Sequence, residues 1–257
     1  MTRIRGRDRC RWRTGRVVTG AADERAVPPS ARVGQPADVP VVLRTLGVAV
    51  RRPVLVSVGG AGGMTPDHLA VMAKALERIV PALDRWGAAI VDGGTDSGVM
   101  KVMGQLRAAA GARFPLVGVA AEGTVIVPGT SARPDAAALE PHHTQVILVP
   151  GQIWGDESPW LSRVATAIAD GQPSLTLVVN GGQITYDDID HSLQADRPVI
   201  ILAGTGRTAD AIAAAASGDT GDPKAAQVAA SPGTRIVSLD DPQALYAAIE
   251  SILAPHG

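Results

Sequence analysis

Short apolar runs alternate with longer amphipathic stretches through most of this chain. The apolar runs are PVLVSV (53–58), AAIVDGG (88–94), PLVGVA (115–120), TQVILVP (144–150), SLTLVVN (174–180), PVIILAG (198–204) and RIVSL (235–239). They are rich in Val, Ile and Leu and barely alternate with polar residues, as strands buried on both faces do. The stretches between them carry helical spacing: from about Thr65, from Gly98 to Ala110, around 159–170, then 184–195, 208–216 and 241–254. Thr65-Pro66-Asp67 is a strong helix start, with a hydroxyl cap, a proline at the first helical position and an acid in the first turn. Strands alternating with helices of this length predict βαβ units. The fold class is therefore α/β, with a mostly parallel sheet and right-handed crossovers that put helices on both faces. The pattern begins near residue 41 and places one domain over 41–257, with 41–52 as an edge strand or lead-in. The small, polar residues 217–233 read as a flexible connection.

Composition sharpens this picture. The chain has 257 residues, 46% apolar and only 3% aromatic, so a large core must be built from aliphatic side chains. The net charge of −1 hides an asymmetry, because residues 1–52 hold 12 Arg against 4 acids. Residues 1–40, rich in Arg, Gly and Pro, are expected to be a basic, disordered leader. That leader has no aromatic platform beyond Trp12 and no periodicity, so nucleic acid is not the expected partner. No apolar run is long enough to span a membrane, and no apolar core follows the arginines as in a secretory signal. The single cysteine, Cys10, makes no intrachain disulfide. The protein is expected to be cytoplasmic.

Candidate chemistry lies where the strands end. In an open parallel sheet, ligands bind beyond the carboxyl ends of the strands. Four of those ends are glycine-rich: GGAGG (59–63), GGTDSG (93–98), NGG (180–182) and GTGR (204–207). Glycine lets backbone N–H groups approach a ligand closely, and a helix N-terminus beyond each turn favours negative charge. Convergence of these turns would make a phosphate site, with Gly62, Gly204 and Thr205 among its residues. Thr95 and Ser97 supply hydroxyls for it or cap the next helix. Arg207, Arg163 and Lys101 are the candidate cations, each equally able to form a surface ion pair. Asp96 and Glu122 are candidate acids or bases. GTGRTA (204–209) fits a dinucleotide-binding spacing, but the acid expected about 20 residues on is not at a strand end. His142 and His143 are adjacent and face no spaced Cys or carboxylate set, so no metal site is expected.

The series VSVGGAGG, VDGGTDSGVMKVMG, FPLVGVAAEG, LEPHHTQVILV, ESPWLSR, LVVNGG and ILAGTGRTAD resembles the SLOG superfamily. More narrowly it resembles the prokaryotic LSDAT type, related to the cytosolic N-terminal domain of TRPM channels. The resemblance covers about 53–216 and implies a single Rossmann-like domain that binds a nucleotide-derived ligand such as ADP-ribose or an NAD relative. It implies contacts from Gly59, Gly60, Gly93, Gly94, Thr95, Ser97, Gly98, His143, Arg163, Gly181, Gly182, Gly206 and Arg207. The family's N-H-T-H appears here as His142-His143-Thr144-Gln145.

A ligand-binding or sensing role, with no further cofactor and with homo-oligomerisation as one route to an output, is the first expectation. The alternative is a nucleotide-processing enzyme. LOG proteins, more distantly similar, hydrolyse an N-glycosidic bond with P-G-G-x-G-T-x-x-E. The comparable stretch runs from Asn180 to Asp188, with Asp188 where that motif has Glu, about one methylene shorter. A nucleic-acid-binding protein acting through the leader is the third class.

Overall fold

The computed structural model describes residues 27–60, 64–127, 133–219 and 221–255. Its centre is one eight-stranded, all-parallel sheet. The strands are β1 (Ser30–Arg32), β2 (Val54–Gly60), β3 (Ala89–Asp92), β4 (Leu116–Ala121), β5 (Gln145–Val149), β6 (Ser174–Asn180), β7 (Val199–Ala203) and β8 (Thr234–Ser238). Their order is β1-β5-β4-β3-β2-β6-β7-β8. The run from β4 to β8 therefore reads 4-3-2-6-7-8, the Rossmann order, with β2 and β6 adjacent where the direction of winding reverses.

Residues alternate strictly between the two faces. Val54, Val56 and Val58 of β2 point into one core, with Val91, Val119, Val178 and Ile201. Leu55 points into the other, with Ile90, Leu116, Leu177 and Ile200. The first core is covered by α1 (Val39–Thr45), α5 (Ser158–Ala169), α6 (Gln183–Gln194), α7 (Arg207–Ala216) and α8 (Pro223–Ala229). The second is covered by α2 (Pro66–Glu77), α3 (Val80–Arg85), α4 (Gly98–Ala109) and α9 (Pro242–Leu253). Thr65 caps α2 as expected, its hydroxyl accepting from the His68 N–H at 3.3 Å. Among the described residues, the β4–β5 connection has no α-helix. It covers a small cluster of its own around Val125, Leu139 and Leu148.

Two stretches differ from the sequence expectation. The boundary at residue 40 falls inside the folded part. Ser30–Arg32 pairs with Val146–Leu148 at the sheet edge, and α1 follows. Residues 39–45 form a helix and not a strand because Val39, Val42 and Leu43 are spaced to bury one helical face, with Pro40 near the N-terminus. The disorder expected of the leader otherwise concerns residues 1–26, which lie outside the described residues. The supposed flexible connection contains α8. Asp222 caps it by accepting from the N–H groups of Lys224 and Ala225, and also accepts from the Tyr186 hydroxyl at 2.7 Å.

Candidate functional site

The end of β2 and the turns after β3, β6 and β7 meet at the carboxyl rim of the sheet and line one open cavity of about 490 Å³. Gly59 and Gly60 come from β2, Gly93, Thr95 and Ser97 from the β3 turn, Gly182, Gln183 and Ile184 from the β6 turn, and Arg207 from the β7 turn. Gly59 is obligatory for its geometry. Its φ is +145°, and a Cβ there would lie 1.8 Å from the Val179 carbonyl oxygen on the paired strand. Arg207 occupies the first position of α7 at φ 50°. Its guanidinium lies across Gly60 and Gly182, within 3.1 Å of where a Cβ on Gly182 would be. A fork of N–H donors thus spans the β2–β6 gap, where side chains larger than glycine would displace it.

Hydroxyls and amides stitch these turns together. The Asn180 side chain donates to the Gly60 carbonyl at 2.9 Å, while its backbone N–H donates to Thr205 Oγ1 at 2.7 Å. Thr205 in turn donates to the Leu202 carbonyl at 2.6 Å. Thr208 Oγ1 donates to the Gly182 carbonyl at 3.0 Å. In the β3 turn, Thr95 and Ser97 share a hydrogen bond of 2.9 Å between their hydroxyls. Ser97 holds the N-cap position of α4 but makes no side-chain cap bond, so the capping role open from sequence is not used.

Behind the β3 turn lies a buried charge network. Asp92 Oδ1 accepts from the Gly94 N–H and from His143 Nε2, each at 2.8 Å. His143 Nδ1 donates to Glu140 Oε2 at 2.8 Å, and Glu140 also accepts from the His142 backbone N–H. Burial alone would lower the pKa of His143. The charges and hydrogen bonds of Asp92 and Glu140 outweigh it and push the imidazole up to about 9, so the ring is a cation with both nitrogens donating. Burial would raise Glu140, but its bonds to His143 and His142 hold it below the ordinary value. With the Glu140 N–H donating to the Gly94 carbonyl, the 140–143 segment clamps the turn that carries Thr95 and Ser97.

The opposite wall of the cavity is acidic and apolar. Glu157 and Asp188 line it, together with Trp154, Leu161 and Ile184, while Met100 packs on the β3 turn against Gly93 and Thr95. Burial, aided by the charges of Glu157 and Asp187, pushes the Asp188 carboxyl up to about 7. Burial likewise raises Glu157, against the opposing hydrogen bond from the Gly155 N–H at 3.0 Å. Among the described residues, no group of three or more His, Cys, Asp or Glu side chains is placed to hold a metal ion. No described helix is long and apolar enough to cross a membrane.

The sequence candidates therefore divide. Gly59, Gly60, Gly93, Thr95, Ser97, Gly182, Arg207 and Asp188 line the cavity. Gly94, Gly98, Gly181, Gly204, Thr205 and Gly206 shape the turns behind it. Gly94 packs on Gly118 and Gly181 on the Thr185 side chain, while the Gly204 N–H donates to Asp210 at 2.6 Å. His143 does not reach the cavity, because both its nitrogens are committed to Asp92 and Glu140. Arg163 is exposed on α5, off the stripe of Leu161, Val164, Ala165 and Ile168 that faces the sheet, and is not among the lining residues. Lys101 pairs with Asp96 at 3.2 Å and Glu122 with Arg32 at 3.2 Å, which places all three candidates in ion pairs outside the cavity lining. Gly62 lies outside the described residues. Glu157 and Trp154, from the β5–α5 loop, were not foreseen.

A family model described as "SLOG in TRPM, prokaryote" matches residues 52–247. No curated protein matches the sequence. Among solved structures, the molybdenum cofactor carrier protein of Chlamydomonas reinhardtii is similar at 17% identity and a TM-score of 0.52, over 80% of this chain and all of that one. A structural-genomics target, TM1055, aligns at 19% identity and a TM-score of 0.48, over 78% of this chain and 99% of the other. The first likeness bears on the fold alone.

Proposed function

Because the chain belongs to the prokaryotic SLOG-in-TRPM family, we propose that the rim cavity binds a phosphorylated, nucleotide-derived ligand, of the ADP-ribose or NAD kind, in a sensing role. One observation carries this reading: the carboxyl ends of four separate strands, with the Arg207 guanidinium laid across Gly60 and Gly182, surround a single open cavity. Backbone donors, helix N-termini and a forked cation are the elements that hold phosphate. The volume suits a small ligand. Incubation with AMP, NAD, ADP-ribose and cyclic ADP-ribose should raise the melting temperature by mass action, with the ligand recovered intact. Arg207→Met should weaken that binding about 10- to 100-fold, the worth of a charge-assisted pair. Absence of any shift with all four compounds refutes the reading.

One observation favours a second reading, hydrolysis of a nucleotide N-glycosidic bond. Asp188 sits in the cavity with a carboxyl near neutrality, beside a second acid, Glu157. A carboxyl poised near pH 7 is suited to proton transfer, and a carboxylate beside it to the developing positive charge of a ribosyl group. Release of free base that stops in Asp188→Ala would establish this reading in place of simple binding. Recovery of intact nucleotide would exclude it for the compounds tried.

A further inference from the structure

An anion cradle does not account for the acidic wall. Glu157 and Asp188 would repel a ligand that was anionic throughout. Asp188 projects from α6 six residues beyond Gly182, which places it about 9 Å further along the helix axis from the cradle. Its Oδ1 and the hydroxyl of Ser158, itself only 2% exposed, are buried side by side, and the contact between them falls short of a full hydrogen bond among the described residues. A buried acceptor matched so poorly is costly, so it marks a place where a better partner is expected. Glu157 is already aimed, one carboxylate oxygen taking the Gly155 N–H. Beside the two acids, Trp154 is 38% exposed and offers an aromatic surface, and Leu161 and Ile184 offer apolar surface. An aromatic face, an apolar wall and two acceptors together fit a flat nitrogen heterocycle that presents N–H donors.

We propose that Glu157, Asp188 and Trp154 form a second subsite that selects ligands carrying an amino-bearing heterocycle at the end opposite the phosphate. This rests on the phosphate-binding reading of the same cavity and adds which end of the ligand is discriminated. The test compares affinities, by calorimetry on the full chain, for AMP, GMP, CMP, purine riboside 5′-monophosphate and ribose 5-phosphate. Purine riboside lacks the exocyclic amino group, and ribose 5-phosphate lacks the base. At least one amino-bearing nucleotide should bind about tenfold or more tighter than both, since hydrogen bonds to the two carboxyl groups together are worth that much. In Asp188→Ala, and more weakly in Glu157→Ala, which remove the acceptors, that ratio should collapse towards one. In Arg207→Met all the affinities should fall together. Equal binding of all five compounds, or a ratio unchanged in Asp188→Ala, overturns the second subsite while leaving the phosphate cradle standing. Failure of every compound, ribose 5-phosphate included, removes the cradle and the subsite with it.

Discussion

Replacing Asp188 by Asn should make the protein more stable, and the gain should depend on pH. The carboxyl is half-buried on the cavity wall, its contact with Ser158 does not offset that burial, and Glu157 and Asp187 add like charge. Its folded-state value of about 7 stands above the ordinary aspartate value of 3.8. A folded value raised above the unfolded one means that wild-type stability is full below about pH 4. It is lost progressively as the pH climbs to about 7. At about 1.4 kcal/mol per pH unit, the whole gap corresponds to about 4 kcal/mol. Because the carboxyl opens onto a solvated cavity, screening reduces this to about 2 kcal/mol. Asn keeps the shape and does not titrate. Urea unfolding at pH 4, 5, 6, 7 and 8 should therefore show no advantage for Asp188→Asn at pH 4 and a gain of about 2 kcal/mol by pH 8. Such a gain is the mark of a group retained for function at the expense of stability. An advantage that is absent at pH 8, or equal at all five values, would show that the carboxylate is satisfied in the folded state and would refute the reasoning.

The His143 network should act in a higher pH window. Its folded value of about 9 exceeds the ordinary imidazole value of 6.5, so its contribution is complete below pH 6.5 and fades as the pH rises through 9, a loss of about 3 kcal/mol readable by urea unfolding. A ring that titrates near 6.5 by nuclear magnetic resonance would rule this out. Gly59→Ala should cost more than about 3 kcal/mol or prevent folding, since its Cβ has no room beside Val179 and the backbone no suitable conformation; circular dichroism melting decides. Gly104→Ala should loosen the same buried network, because its Cβ would fall 2.2 Å from the Glu140 carboxylate. The expected signs are a lower melting temperature and faster hydrogen exchange at Gly94.

Much of the fold was readable because the strands from β2 to β8 are unbroken aliphatic runs and the helices between them carry caps and stripes. The convergence of the glycine turns followed from the rule that parallel strands present their carboxyl ends to one rim. What resisted reading was direction and distance. His143 sits in a stretch whose family resemblance implied a ligand contact, but only the folded positions of Asp92 and Glu140 show that its ring turns inward. Arg163 was decidable: Leu161, Val164, Ala165 and Ile168 define the buried stripe of α5, and position 163 falls outside it. Glu157 gave no such signal, because its meeting with Asp188 depends on how the β5–α5 loop leans on α6, where Gly155 packs against Ile184. The first strand and helix were masked by arginines and prolines whose composition suggested a tail.

The pairing of β2 with β6 has a consequence for the order of events during synthesis. Gly60 and Arg207 come from distant parts of the chain, and the strands that bring them together flank the winding reversal. A nascent polypeptide that has emerged only as far as β6 owns the glycines but not the guanidinium. On the proposed function, a phosphorylated ligand would therefore favour the finished domain by mass action and give no such help to its earlier fragments.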